Sequence, residues 1–231
     1  MSSRSGRTGV VGTLAKIVLS LIVALGLCVI ALIAAYRFVP PISTLMLGRW
    51  AEGEPAERIY VPLERISPAL RTAVIVSEDA QFCRNDGVDW GALREVVDAA
   101  DEEGPSRGAS TITMQTAKNL FLWPSRSFIR KGIEIPTALL LNMAWPKRRV
   151  LEVYLNIAEW GDGVFGAEAA ARRYFHKSAD RLDAAEAALL ATALPNPRRR
   201  DPAKPTRRHA GLAARIMARA KTAETLVECV R

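Results

Sequence analysis

Only two histidines, His176 and His209, and three cysteines, Cys28, Cys83 and Cys229, occur in this chain. No cysteine pair has metal-ligand spacing, and the histidines stand far apart, which argues against a structural zinc site. Cys28 falls inside an apolar run. Spacing gives no reason to pair Cys83 with Cys229, although an oxidising compartment would permit a bridge. No Ser-x-x-Lys triplet is present, which removes the acyl-serine chemistry that depends on that lysine. Acids are also in short supply, 24 against 32 bases, for a net charge of +8. That balance points to an anionic partner: nucleic acid, a membrane surface or a phosphorylated substrate.

Ile17 to Ala35 runs nineteen residues without a charge, enough for a helix to cross the roughly 30 Å hydrocarbon layer. It exceeds a usual signal-peptide core, and no small-residue cleavage site follows it, so an uncleaved anchor is expected. Arg4, Arg7 and Lys16 precede the span, and Arg37 and Arg49 follow it. The positive-inside rule therefore keeps the N-terminal tail in the cytoplasm. The expected division is a tail over 1–16, a transmembrane helix over 17–36, a connector over 37–66 and a globular domain over 67–231.

Pro40 and Pro41 end the span, and the stretch to Ile66 reads as extended, with a short strand near Arg58–Leu63. Ser67 followed by Pro68 opens a helix whose far end carries Glu78 and Asp79. A carboxylate at a helix C-terminus among Val74, Ile75 and Phe82 is desolvated and meets the negative dipole end, and both effects suit it to accept protons. A solvated helix end is the plainer alternative. Asp89 to Ala100 reads as helix, and Asp101–Arg107 as a polar loop or flap.

Gly108 then turns into a helix with Ser110 as its expected N-cap and Thr111, Gln115, Lys118 and Asn119 on one polar face. Helix-terminal N–H groups, two hydroxyls and Lys118 form a combination suited to phosphate, against the alternative of an ordinary solvated stripe. Ser127 caps a further helix with Arg130, Lys131 and Glu134, read either as an intrahelical ion pair or as a carboxylate holding cations for a pyrophosphate. Pro136 is expected to kink or restart that helix.

Lys147 to Glu159 carries Val150, Leu151, Tyr154, Leu155 and Ala158 at core spacing. Gly161, Gly163 and Gly166 spell a dinucleotide-binding pattern but follow a helix rather than a strand, so they read as a loop. Asp183 and Glu186 form a capping box. Arg198 to Lys221 holds nine bases against Asp201, on a final helix capped by Thr206. That helix reads either as a solvated face or as one that touches anionic lipid.

Together these stretches resemble the monofunctional biosynthetic peptidoglycan glycosyltransferases, relatives of the glycosyltransferase module of class A penicillin-binding proteins. Glu78, Asp79 and Phe82 with Gly87 and Asp89 resemble the first family motif. Gly108, Ser110, Thr111, Ile112, Gln115, Lys118 and Asn119 resemble the second, and Arg130, Lys131 and Glu134 the third. Lys147, Val150, Leu151, Glu152, Tyr154, Leu155 and Asn156 resemble the fourth. Gly166, Ala169, Ala170, Tyr174, Phe175 and Lys177 continue the pattern. The chain departs from it at Asn85, where the family usually has histidine, and at Met114, Asn142 and Pro136.

The resemblance implies a mainly α, lysozyme-like domain with a smaller membrane-proximal lobe, held at the cell inner membrane with its catalytic part on the outer side. It implies lipid II and the growing glycan strand as substrates, and Glu78 and Glu134 as catalytic residues. Asp79, Phe82, Ser110, Thr111, Gln115, Lys118, Asn119, Arg130 and Lys131 would bind substrate. The resemblance fixes no cofactor, and a divalent cation, Mg²⁺ or Mn²⁺, is the candidate at the diphosphate. Wall-synthesis and division proteins are the expected protein partners, and nucleic acid is not. A glycan-cleaving muramidase and a non-catalytic membrane scaffold are the alternatives.

Overall fold

A computed structural model describes residues 4–99, 110–125 and 127–231. The loop expected over Asp101–Arg107 and the turn at Gly108 lie outside the described residues. Two units divide the chain, residues 1–39 and 40–231. The first is α1 (Arg4–Tyr36), of which Gly12–Tyr36 is long and apolar enough to cross a membrane. At 1.5 Å per residue it extends about 37 Å, and Leu14, Leu19, Leu21 and Leu25 are among its exposed side chains.

The second unit begins sooner than expected. The stretch read as an extended connector contains α2 (Thr44–Ala51), capped by Ser43, then β1 (Glu57–Arg58) and a 3-10 turn over Leu63–Arg65. Thr44 Oγ1 donates to the carbonyls of Asn119 and Leu122, at 3.0 and 2.6 Å. This polar attachment, invisible locally, makes α2 part of the globular unit.

Seven of the remaining helices form its body: α3 (Pro68–Glu78), α5 (Ile112–Phe121), α6 (Phe128–Ala144), α7 (Lys147–Ile157), α8 (Ala167–Phe175), α9 (Ala184–Ala193) and α10 (Arg207–Ala220), with α4 (Trp90–Ala99) between α3 and α5 in sequence. The architecture is the mainly α one expected. The caps act locally as read: Ser67 accepts from Leu70 N, Ser127 from Arg130 N, and Asp183 with Glu186 completes its box. Helix α5 packs between α6 and α7, while α3, α9 and α10 pack together. Tyr154, Phe82, Trp160 and Phe165 are fully buried among these layers.

Helix α6 runs through Pro136 without restarting. Thr137 Oγ1 donates to the Ile133 carbonyl at 2.7 Å, a side-chain bond in the turn where proline withholds its N–H.

Gly161, Gly163 and Gly166 belong to a hairpin. Strand β3 (Val164–Phe165) lies between β1, which is parallel to it, and β2 (Glu159–Gly161), which is antiparallel. A Cβ at Gly161 would meet Tyr174 Oη at 1.9 Å, and Gly166 has φ 85° with the Asn156 carbonyl 2.9 Å from where its Cβ would be. Close approach and left-handed backbone explain these glycines without any nucleotide.

Candidate active site

Glu78 closes α3, whose Leu70, Ala73, Val74, Ile75 and Val76 are buried and so fix the helix end in the body of the domain. Ser77 Oγ donates to Glu78 Oε1 at 3.1 Å, and Gln115 Nε2 to Glu78 Oε2 at 3.3 Å. Burial pushes the Glu78 carboxyl above its ordinary range; the two donors and the Arg200 charge oppose this, and Asp79 adds to it. The result is a carboxylate that takes up a proton more readily than a solvated one.

The opposite end of the Gln115 amide is held as well. Tyr154 Oη donates to Gln115 Oε1 at 3.1 Å. Burial, with Glu78 and Asp79 nearby, raises the Tyr154 hydroxyl well above its usual range, so it stays a donor. The sequence spacing makes Tyr154 a core position on α7. Its ring is core, and its hydroxyl is the polar handle that reaches the site.

Helix α5 starts one residue later than expected. Thr111, not Ser110, is its N-cap and accepts from Met114 N at 3.0 Å. Asp79 Oδ2 accepts from Ile112 N at 3.0 Å. The helix terminus assigned above to phosphate is thus already served by a protein carboxylate, which meets the same dipole and N–H groups. Ser110 Oγ instead accepts from Lys131 Nζ at 2.7 Å.

Asp79, Phe82 and Thr111 support the site rather than line it. Asp79 also accepts from Asn85 Nδ2, at 3.0 and 3.2 Å, and Thr111 Oγ1 donates to the Gly87 carbonyl at 2.6 Å. Phe82 has no exposed surface, and its ring carries the Lys147 ammonium 4.8 Å from the centroid. Lys147 Nζ donates to Asn85 O at 2.7 Å and Oδ1 at 3.1 Å, and burial lowers its pKa to about 8. Asn85, noted as a departure, is therefore the link between Lys147 and Asp79.

The cations gather along α5 and α6. Three residues on from Gln115, about 4.5 Å along the axis, Lys118 and Asn119 line a cavity of about 470 Å³ with Leu45, Leu122, Trp123 and Arg130. Burial lowers the Lys118 pKa, Glu134 opposes that, and Arg130 and Lys131 add to it. Glu134, only 2% exposed, pairs with Arg130 and, at 2.9 Å, with Lys131. The ion pair is intrahelical, and it holds Arg130, which lines the cavity, and Lys131 on one carboxylate.

A continuous polar line thus joins Glu78 to the cations. It runs from Glu78 to Gln115, whose Nε2 lies 3.5 Å from the Ser110 carbonyl, and from Ser110 through Lys131 to Glu134 and Arg130. Among the described residues no group of three His, Cys, Asp or Glu could hold a metal, and both Glu134 oxygens are engaged by cations.

Fold and site together fit a group-transfer enzyme: a buried carboxylate that holds a proton more readily than usual is linked to a cluster of fixed cations. The Transglycosylase family model matches residues 45–221, and the chain belongs to that family. It is 52% identical over 214 residues to the biosynthetic peptidoglycan transglycosylase of Rhodospirillum centenum, covering 92% of this chain and 90% of that protein. To the protein of the same name from Brucella suis it is 48% identical over 222 residues, 95% and 99% of the two chains. To that from Rhodopseudomonas palustris strain TIE-1 it is 54% identical over 192 residues, 83% and 81%.

Proposed function

We infer that the chain is a peptidoglycan glycosyltransferase that polymerises lipid II into β-1,4-linked glycan. Glu78 takes the proton from the 4-hydroxyl of the acceptor N-acetylglucosamine as that oxygen attacks the anomeric carbon of the strand's terminal N-acetylmuramic acid. The bond to the undecaprenyl diphosphate breaks as the new one forms, and attack from the opposite face turns an α-linked donor into a β-linked product. General-base catalysis of this kind contributes roughly 10²–10⁴ in rate. Lys118, Arg130 and Lys131 stabilise charge on the departing diphosphate, with Glu134 holding the last two in place. A divalent ion at the diphosphate would draw its ligands mainly from phosphate and water, and no step here depends on one.

The observation that carries this reading is the polar line from Glu78 to Glu134, because it ties a base through Gln115, which stands one turn before Lys118 on α5, to an anion-binding cradle. The surroundings favour a lipid-linked substrate. Trp123 of the cavity lining is exposed, as are Phe128 (by 98%), Ile129 and Ile133 of α6, the helix that also carries Arg130 of that lining. The N-terminal span, read as anchored in the inner membrane with the domain outside, would confine enzyme and donor to one surface and raise their encounter rate.

Labelled lipid II and finished glycan, each incubated with the wild type and with Glu78→Gln, test the reading. Chain growth by the wild type alone supports it. Fragments released from finished glycan would mean a muramidase, and identical background in both proteins would mean a scaffold.

A further inference from the structure

The family match ends at residue 221, and the ten residues after it return to the catalytic turn. Cys229 is disulfide-bonded to Cys83, with Cα atoms 5.5 Å apart across 146 residues of sequence. Cys83 stands five residues beyond Glu78 and next to buried Phe82. The same tail is held at two further points. Val230 O accepts from Arg71 of α3 at 3.3 Å and from Arg148 of α7 at 3.1 Å, and Arg148 also donates to the Arg231 carbonyl. Ala223, Val227 and Val230 are buried, so the tail is seated as well as tied.

These three attachments fall on the segments whose relative placement sets the base. Helix α3 ends in Glu78, and α7 presents Tyr154, which orients the Gln115 amide against Glu78. The turn after Glu78 has little regular structure of its own and depends on Asp79, Asn85 and Lys147 for its shape. A segment held by one buried ring and a few polar contacts opens locally more readily than the helices around it, and a covalent link to a seated tail suppresses that opening.

We propose that residues 222–231 are a positioning strap for the catalytic glutamate, so that turnover depends on the Cys83–Cys229 bond beyond its effect on stability. The proposal rests on the reading of Glu78 as the base, and it assigns a role to a segment outside the shared family domain. Cys83 and Cys229 touch no substrate; they act through the turn.

The test compares the full-length wild type with the Cys83→Ser/Cys229→Ser double variant in lipid II polymerisation and in amide hydrogen exchange. Loss of the strap is expected to lower kcat about tenfold to a hundredfold while KM stays within about twofold. Exchange should quicken at residues 79–87 with helix content unchanged. A double variant that melts earlier but keeps the wild-type kcat, or keeps its protection at 79–87, overturns the proposal. If the variant fails to fold, the folded wild type is reduced with a phosphine, alkylated and put through the same two measurements. If the wild type makes no glycan, the functional reading falls and the catalytic role of the strap falls with it, while the exchange data decide only whether the bond restrains the turn.

Discussion

The hydroxyl of Tyr154 donates to Gln115 Oε1, and that bond, with the Ser110 carbonyl on the Nε2 side, sets which end of the amide meets Glu78. With the oxygen taken by a donor, the NH₂ end faces the carboxylate. An ionised Glu78 is thereby favoured over the alternative in which two acceptors would meet.

Tyr154→Phe should therefore shift the acid limb of the polymerisation rate to higher pH. Losing the hydroxyl frees the amide to turn, and loss of its donor raises the Glu78 pKa further. Stability should fall by about 1 kcal/mol for the half-buried acceptor left unpaired. Rate against pH, together with thermal melting, checks this; an unmoved acid limb would dismiss the orienting role.

Glu78→Gln should raise the melting temperature at neutral pH while abolishing polymerisation. The folded-state pKa of Glu78 lies above its ordinary 4.5. From that value upward the folded chain holds more protons than the unfolded one, and stability is lost as pH rises. The advantage of the variant should be present at pH 7 and vanish below about pH 4, where both states are protonated. Melting curves at the two pH values decide it.

Removing Glu134 as Glu134→Ala leaves Arg130 and Lys131 without their shared carboxylate. Breaking a pair with so buried a member costs about 3 kcal/mol. The cations then lose their set positions beside the cavity, so kcat should fall with the diphosphate charge less well stabilised. Urea unfolding and steady-state polymerisation separate the two effects. A variant that is destabilised but turns over normally would leave Glu134 a structural residue only.

Lys147 gives a test at the other end of the pH scale. Its pKa falls from 10.5 to about 8 on burial. Between those values the unfolded chain keeps a proton that the folded chain has released, so this group makes stability rise with pH. Lys147→Met should flatten that rise, seen as a wild-type minus variant difference that changes between pH 8 and 10. A constant difference would contradict the depressed pKa.

Much of the site could be read along the chain because its determinants are local. Ser67, Ser127, Asp183 and Thr206 cap the helices that follow them, since a cap needs only the next three residues. Gln115 and Lys118 share the site because they are one turn apart on a helix, and the Arg130 to Glu134 pairing likewise follows from spacing. The error at Ser110 shows the limit. Two adjacent hydroxyls compete for one cap, and Thr111 takes it because Gly87 and Asp79, far back in sequence, fix the entry to the helix.

By itself, then, the sequence determined the apolar span and most of the helices, which follow from composition and short-range periodicity, and it marked the candidate base and the cations through their helix positions and the family resemblance. Only tertiary structure decided that Asp79 occupies the helix terminus expected to bind phosphate, that Tyr154 orients Gln115, that α2 belongs to the globular unit and that Cys83 finds Cys229. Each of these joins residues tens to more than a hundred positions apart. Such contacts form only when packing the apolar faces brings distant segments together, and no periodicity along the chain records which polar groups will then meet.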